Sequence, residues 1–138
     1  MNATVSVNGN ITDAAHAAIS VFDHGFLYGE GIYETLRTYH GVPFLYDAHL
    51  KRLRQSAALM SLPVPFDDAS LLADIRKTMA AQAGLGEAYI RVLLTRGVGE
   101  LSYSLSACPT PTVVIIIKYV VQVLQAAQKF LDNTSKSH

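Results

Sequence analysis

The stretch Ser20–Arg37 reads SVFDHGFLYGEGIYETLR, and it decides how the rest of the chain is organised. Its three closely spaced glycines indicate tight backbone bends or a close approach to another group. The residues from Ile32 to Tyr39 alternate between apolar and polar types, which is typical of a β-strand. The pair His40-Gly41 then indicates a turn, and Val42–Tyr46 is predicted to return as a second strand.

Two helices are predicted after this pair of strands. Asp47 is expected to cap the first helix, because its carboxylate can accept from the free N–H groups of the first turn. The buried positions of this helix are expected at helical spacing: Leu50, Leu53, Ala57 and Met60. Asp67 or Asp68 is expected to cap the second helix, beyond the break at Pro63 and Pro65. Its predicted buried stripe consists of Leu72, Ile75 and Met79.

Strands are also predicted on both sides of the helices. Val5–Ile11 alternates around an Asn-Gly pair, which indicates a hairpin. Ala88–Thr95 and Thr112–Lys118 are rich in β-forming residues and are predicted to be buried strands. This order predicts an α+β fold, a small two-layer domain with helices on one face of one sheet. We expect the domain to span residues 1–118 and a helical tail to span residues 119–138.

The composition argues against several classes of partner. The chain has 138 residues, a net charge of zero and a pI of about 7.0, so no basic field predicts binding to nucleic acid or to an anionic membrane. The apolar run Val113–Val121 is far shorter than the ~20 residues that span a bilayer. The single cysteine, Cys108, is typical of a reduced compartment. We therefore expect a cytoplasmic protein without membrane or nucleic-acid partners.

Short motifs taken one at a time carry little chemistry. No pair of metal ligands stands at a standard spacing, and neither a Gly-x-Ser-x-Gly elbow nor a P-loop is present, so no metal site is expected. Asp23 and His24 look like an acid–base pair. Neighbouring residues on a strand face opposite ways, however, so structural roles are favoured for both.

Taken together and in order, the motifs resemble those of one family. Ser20–Arg37 is similar to the opening signature of the class IV, or fold-type IV, aminotransferases, which use pyridoxal 5'-phosphate. Pro43–Leu53 resembles the helix motif of that family, and Ala88–Val92 and Thr95–Gly97 follow in the family's order. The resemblance covers residues 5–118. It implies the family's N-terminal domain, which has a mainly antiparallel sheet with helices on one face.

The resemblance assigns Arg52 to the phosphate of the cofactor. A guanidinium on a rigid helix offers a planar fork of N–H donors that matches phosphate oxygens. The alternative role for Arg52 is that of a solvated helix arginine, as expected for Lys51 and Arg54.

Four further residues match positions that line the substrate pocket in the branched-chain aminotransferases: Tyr28, Tyr33, Tyr89 and Arg91. Tyrosines would supply an apolar wall with hydroxyl groups, and Arg91 could pair with a substrate carboxylate. The alternative role for each tyrosine is core packing. Structural roles are favoured for Arg37 and Arg96, which could bond loop carbonyls.

One departure from the family separates its branches. The D-amino-acid aminotransferases place an arginine and a histidine in the loop after the position of Gly97, where they hold the substrate carboxylate. The corresponding loop here contains Glu100, which would repel a carboxylate. This difference favours the branched-chain group over D-amino-acid specificity.

The Schiff-base lysine of the family lies in a second domain, beyond the strand that matches Thr112–Lys118. Lys118 does not match its position and is expected to be a strand-end charge that meets water. We therefore expect the N-terminal part of an aminotransferase, truncated before the catalytic lysine and inactive alone.

Three functional readings follow from the resemblance. The first is transfer of an amino group from a branched-chain amino acid to a 2-oxo acid, with pyridoxal 5'-phosphate as cofactor in the full enzyme. The alternatives are a fragment of an aminodeoxychorismate lyase and a non-catalytic, self-associating module. The family is typically homodimeric, so a homo-oligomer is expected.

Overall fold

The structure is a computed structural model that describes residues 2–82, 86–119 and 131. Its elements, in chain order, are β1 (Thr4–Val7), β2 (Asn10–Asp13), α1 (His24–Tyr28), β3 (Gly31–Tyr39), β4 (Val42–Pro43), α2 (Tyr46–Leu59), α3 (Asp68–Ala80), β5 (Ala88–Thr95) and β6 (Thr112–Tyr119). The tail predicted for residues 119–138 lies outside the described residues, apart from Tyr119 and Leu131. The domain boundary at residue 118 therefore stays a prediction.

The strands form one six-stranded sheet in the order β2-β1-β6-β5-β3-β4, and every neighbouring pair is antiparallel. β4 is shorter than predicted and pairs only with Thr38 and Tyr39. The edge of β3 from Gly31 to Arg37 therefore has no strand beside it within the described residues. This edge lies between the two faces of the sheet.

One face of the sheet is covered by the helices. The core joins residues from α2 and α3 to alternate positions of the strands: Leu50, Leu53, Leu71, Ile75, Leu36, Ile90, Val92, Ile115 and Ile117. Burying each of these aliphatic side chains stabilises the fold by about 1.5–3 kcal/mol. The α+β class and the placement of the helices on one face are as predicted. We call the opposite side, with the other alternate residues of β3, β5 and β6, the open face.

The cap of α2 differs from its prediction, whereas the cap of α3 is one of the two residues predicted. Asp47 was expected to cap α2, but the cap position is Leu45 and Asp47 lies inside the first turn. The turn after β4 takes Leu45 into a left-handed conformation with φ of 54°, which starts the helix earlier than Asp47 could. For α3 the cap is Asp67, whose carboxylate accepts from the Ser70 N–H at 2.7 Å.

The buried stripe of α3 was predicted correctly at Ile75 and wrongly at its other two positions. Its buried residues are Leu71, Ile75 and Thr78, whereas Leu72 and Met79 are half-buried. The hydroxyl of Thr78 donates to the Asp74 carbonyl at 2.7 Å, so a polar residue can occupy the core side of the helix.

The glycine-rich stretch folds as a short helical corner, and here the interpretation of Asp23 and His24 as strand neighbours was wrong. Asp23 caps α1 and His24 is its first residue, and both side chains are fully buried. The Asp23 carboxylate accepts from the Gly25 N–H at 2.8 Å. A Cβ atom on Gly25 would lie 2.5 Å from the side chain of Thr95, so a larger residue would push α1 away from β5.

Candidate active site

Three of the residues predicted to line a substrate pocket meet on the open face. Tyr33 lies on β3, and Tyr89 and Arg91 lie on β5. The Arg91 side chain donates to the Tyr89 hydroxyl from Nη2 at 2.6 Å and from Nε at 3.1 Å. Its guanidinium also lies over the Tyr33 ring, 5.0 Å from the centroid. We call these three residues the Arg91 group.

Both polar and apolar side chains surround the Arg91 group, since Thr35 lies opposite Arg91 on β3 and Lys118 lies opposite Tyr89 on β6. Strand pairing places Leu93 opposite Tyr33, and Ile116 opposite Arg91, all on the open face. Because the Tyr89 oxygen accepts from Arg91, its own O–H remains able to donate. The open face therefore presents an arginine with a phenol beside the aliphatic residues Leu93 and Ile116 and the polar residues Thr35 and Lys118.

Arg52 lies on the helix side of β3, where it is held by a carboxylate. Its Nε donates to Glu34, at 2.7 Å to Oε1 and 3.0 Å to Oε2. The Glu34 side chain is buried, and its Oε1 also lies 2.9 Å from Nδ1 of His49. The Arg52 side chain is 64% exposed, and its two terminal nitrogens have no hydrogen bond to another described residue. This geometry fixes the direction of the guanidinium while leaving the outer fork open to solvent.

The Arg91 group and Arg52 are connected through β3. Tyr33 and Glu34 are consecutive residues on that strand, so one faces the open side and the other faces α2. The unpaired edge of β3 lies between them.

Tyr28 lies apart from the Arg91 group. It ends α1, and its ring contacts His24 at a centroid distance of 4.8 Å and Tyr103 at 4.7 Å. Among the described residues no aromatic or hydrogen-bond contact joins it to Tyr33, Tyr89 or Arg91. The five predicted site residues therefore occupy three places: the open face, the helix side of β3 and the corner of α1.

The structural roles predicted for Arg96 and Arg37 agree with the structure. Arg96 is buried, pairs with the Glu30 carboxylate, and donates to the carbonyls of Met60 at 2.8 Å and Ser61 at 3.2 Å. Arg37 donates from Nε to the Thr38 carbonyl at 3.3 Å.

Near Arg96, burial raises the pKa of the Cys108 thiol above its ordinary value.

Sequence reasoning missed Glu34 and His49. The signal was present, because Glu34 shares the buried alternate positions of β3 with Leu36 and Thr38. A carboxylate at such a position requires a cationic or hydrogen-bonding partner. His49 and Arg52, three residues apart, lie on one side of α2 and supply it.

No group of three or more potential metal ligands occurs among residues 2–82, 86–119 and 131. Within the same residues, no helix has the length and apolar character needed to cross a bilayer.

The sequence model of the family described as "Amino-transferase class IV" matches residues 31–138. The chain belongs to the class IV aminotransferases. Among curated class IV relatives, a putative branched-chain-amino-acid aminotransferase of Methanocaldococcus jannaschii is 38% identical over 112 residues, which is 81% of this chain and 38% of that protein. An aminodeoxychorismate lyase of Bacillus subtilis is 31% identical, over 82% of this chain and 39% of its own length. A D-alanine aminotransferase of Bacillus licheniformis is 32% identical, over 79% and 38% respectively.

Solved structures of class IV aminotransferases have the same fold. The branched-chain amino acid aminotransferase of Escherichia coli superposes with a TM-score of 0.76 at 25% identity, covering 86% of this chain and 41% of that one. A branched-chain aminotransferase of Thermoproteus uzoniensis, solved with norvaline, gives 0.73 at 25% identity, covering 84% and 40%. A hypothetical aminotransferase of Mycobacterium tuberculosis in a PLP-bound form gives 0.67 at 27% identity, covering 86% and 40%. The chain thus spans about two fifths of the length of the relatives it matches.

Proposed function

We propose that this chain supplies the phosphate-binding and substrate-facing wall of a pyridoxal 5'-phosphate-dependent aminotransferase. The observation that carries the proposal is the arrangement at Arg52. The buried Glu34 carboxylate holds Nε, while the terminal nitrogens remain open to solvent. A guanidinium oriented in this way matches a phosphate dianion, which accepts two parallel N–H bonds.

The residues present fit the cofactor at its phosphate. The Glu34 carboxylate, which also contacts His49, accepts a hydrogen bond from Nε of Arg52 and so orients the guanidinium. The terminal nitrogens of Arg52 have no hydrogen bond to another described residue. When bound, pyridoxal 5'-phosphate supplies the electron sink that amino-group transfer requires. The part of this chain is to anchor the phosphate and to provide one wall of the substrate pocket.

The Arg91 group supports an aliphatic amino acid as the substrate. Tyr89 and Arg91 offer donors to a carboxylate, and the neighbouring open-face residues Leu93 and Ile116 offer an apolar surface to a side chain. The relative solved with norvaline takes an amino acid with an unbranched aliphatic side chain. We propose a branched-chain or similar aliphatic amino acid as donor and a 2-oxo acid as acceptor, with Tyr28 serving the same reaction.

A second candidate is aminodeoxychorismate lyase activity, which the Bacillus subtilis relative favours. The D-alanine aminotransferase relative keeps a D-amino acid as a third substrate to be tested, although Glu100 argues against it. A homo-oligomer is also proposed, on the basis of the family alone.

We further propose that these 138 residues do not transaminate by themselves. Of the lysines in the described residues, Lys51 and Lys77 are exposed on helices, and Lys118 is half-buried beside Tyr89 on the open face. None corresponds to the family's catalytic lysine.

The test combines labelling with complementation. The 138-residue chain is incubated with pyridoxal 5'-phosphate and leucine, reduced with borohydride, and mapped by peptide mass. We expect no stoichiometric lysine adduct and no keto acid. Adding the second domain of the Methanocaldococcus jannaschii relative as a separate polypeptide is expected to yield leucine transamination. A specific adduct on Lys118 with turnover would overturn the inactivity, and persistent inactivity with a correctly assembled second domain would support a non-catalytic module.

A further inference from the structure

A second cluster of buried polar side chains lies outside the proposed cofactor and substrate residues. It consists of Asp23, His24, Glu30 and Arg96, which we call the corner cluster. Asp23 and His24 are completely buried and Arg96 is 4% exposed. Such groups are costly to bury, so each needs a partner or a role. Arg96 and Glu30 satisfy one another, whereas His24 makes a contact of a different kind.

The hydrogen bond of His24 reaches into the loop that connects β5 and β6. Its Nε2 lies 2.7 Å from the backbone carbonyl oxygen of Glu100. A carbonyl oxygen can only accept, so Nε2 carries the proton. Nδ1 is buried without a hydrogen bond and lies 3.7 Å from the Glu30 carboxylate. Among the described residues, the imidazole therefore makes its hydrogen bond through Nε2.

The loop, Gly97–Pro111, is tied to the corner mainly at its base. The His24 N–H donates to the Gly97 carbonyl at 2.9 Å, and the Gly99 N–H donates to the Phe22 carbonyl at 3.3 Å. The base is also closed on itself, since a Cβ atom on Gly97 would overlap the Thr110 carbonyl oxygen. In the described residues, one hydrogen bond and one aromatic contact join the tip beyond Gly99 to the rest of the chain.

Both contacts lead to the imidazole of His24, the first directly and the second through the ring of Tyr28. One is the hydrogen bond from His24 to Glu100. The other is the packing of Tyr103 on Tyr28, and the Tyr28 ring in turn meets the His24 ring edge-on at 80°. Tyr103 is 81% exposed, so burial alone does not hold it in place. His24 thus holds the loop that carries one tyrosine and contacts the ring of the other.

We propose that His24 is a positioning residue that fixes the tip of the Gly97–Pro111 loop through the Glu100 carbonyl, and so places Tyr103 against Tyr28. This inference rests on the proposed function in so far as Tyr28 serves the substrate wall. The hydrogen bond itself is independent of that assignment. The loop position is set by a side chain buried in α1, not by the composition of the loop.

A pair of isosteric substitutions tests the proposal. Glutamine can bring its amide N–H close to the position of Nε2, whereas asparagine reaches only to the position of Nδ1. Both remove the imidazole and keep an amide, so general effects of the change are matched. We expect His24→Asn to raise amide hydrogen exchange at Ser102, which shares the Glu100 carbonyl, roughly fivefold or more, and His24→Gln to restore protection.

The same samples report the aromatic contact and the integrity of the fold. We expect the nuclear Overhauser effect between the rings of Tyr28 and Tyr103 to weaken in His24→Asn and to return in His24→Gln, with the exchange of β5 and β6 amides unchanged. Equal behaviour of the two variants would overturn the positioning role, as would an unchanged loop in His24→Asn.

A measurement on the unsubstituted chain covers the case in which both variants unfold. Long-range proton–nitrogen correlation spectra distinguish the two neutral tautomers of histidine. The inference requires the Nε2–H tautomer at His24 near neutral pH, and a Nδ1–H tautomer would refute it. None of these readouts uses the cofactor. A failure of Arg52 to bind phosphate would therefore reject the proposed function and leave this inference standing.

Discussion

Arg96 and Arg52 each pair with a glutamate, yet their surroundings differ in every other respect. Arg96 is 4% exposed and commits its guanidinium to Glu30 and to the carbonyls of Met60 and Ser61. Arg52 is 64% exposed and commits only its Nε, to Glu34. A structural arginine donates most of its N–H groups to acceptors within the protein. A ligand-binding arginine is oriented by one such bond, and its other N–H groups can donate to the ligand.

The largest expected difference in stability is between two variants, each of which removes the charge of one arginine. Arg96→Met leaves the Glu30 carboxylate in a mostly buried site without its cation, which is expected to lower the free energy of unfolding by about 3–5 kcal/mol. Arg52→Met leaves Glu34 paired with His49, so a loss of less than about 1 kcal/mol is expected. Urea denaturation measures both. Equal losses at the two sites would break the comparison.

An intermediate effect is expected from neutralising the two glutamates. Glu34→Gln removes the charge that orients Arg52, and the Nε–H of Arg52 is expected to become mobile on the nanosecond timescale. Glu30→Gln is the matched control, because Arg96 keeps its bonds to two carbonyls and is expected to stay rigid. Nitrogen-15 relaxation of the arginine Nε groups measures both. Similar mobility of Arg52 and Arg96 in their respective variants would contradict the distinction.

The smallest effect concerns the other end of α2, which begins at Tyr46 and carries Arg52. The Tyr46 hydroxyl donates to the Asp68 carbonyl at 2.6 Å, and burial, with the Asp68 carboxylate, raises the pKa of Tyr46 to about 12. Because the folded pKa lies above the ordinary value of 10.0, this contribution is complete below pH 10 and is lost as the pH rises through about 12.

The corresponding variant is Tyr46→Phe, which is expected to cost about 1 kcal/mol at neutral pH. It is also expected to flatten the loss of stability between pH 10 and 12, measured by denaturation at a series of pH values. An unchanged alkaline profile would show that Tyr46 does not anchor the start of α2.

Much of the sheet could be predicted from sequence, because β5 and β6 are dense in β-branched residues whose positions strand periodicity fixes. The start of α2 could not, since it depends on a left-handed turn at Leu45 that no capping side chain announces. The corner around Asp23 and His24 was missed for a similar reason. The two residues were treated there as neighbours on a strand, whereas contacts with Gly97 and Glu100, far along the chain, hold a helix.

The candidate site shows the same limit. Arg52, Tyr33, Tyr89 and Arg91 were identified from their motifs, but the motifs do not reveal that Arg91 already binds the Tyr89 hydroxyl. Nor do they reveal that Glu34 holds Arg52. The Arg91 contact joins two alternate positions of one strand, whereas the Arg52 contact joins α2 to β3 and requires the assembled fold.

The most direct measurement is a titration of the 138-residue chain with inorganic phosphate, followed through the side-chain N–H signals of its arginines. Arg52 is predicted to shift saturably with a dissociation constant on the order of 1 mM, about −4 kcal/mol. Arg54, on the same helix but committed to Asp68, and the buried Arg96 are predicted to remain still. An unmoved Arg52, or equal shifts at Arg52 and Arg54, would contradict its assignment as the phosphate anchor.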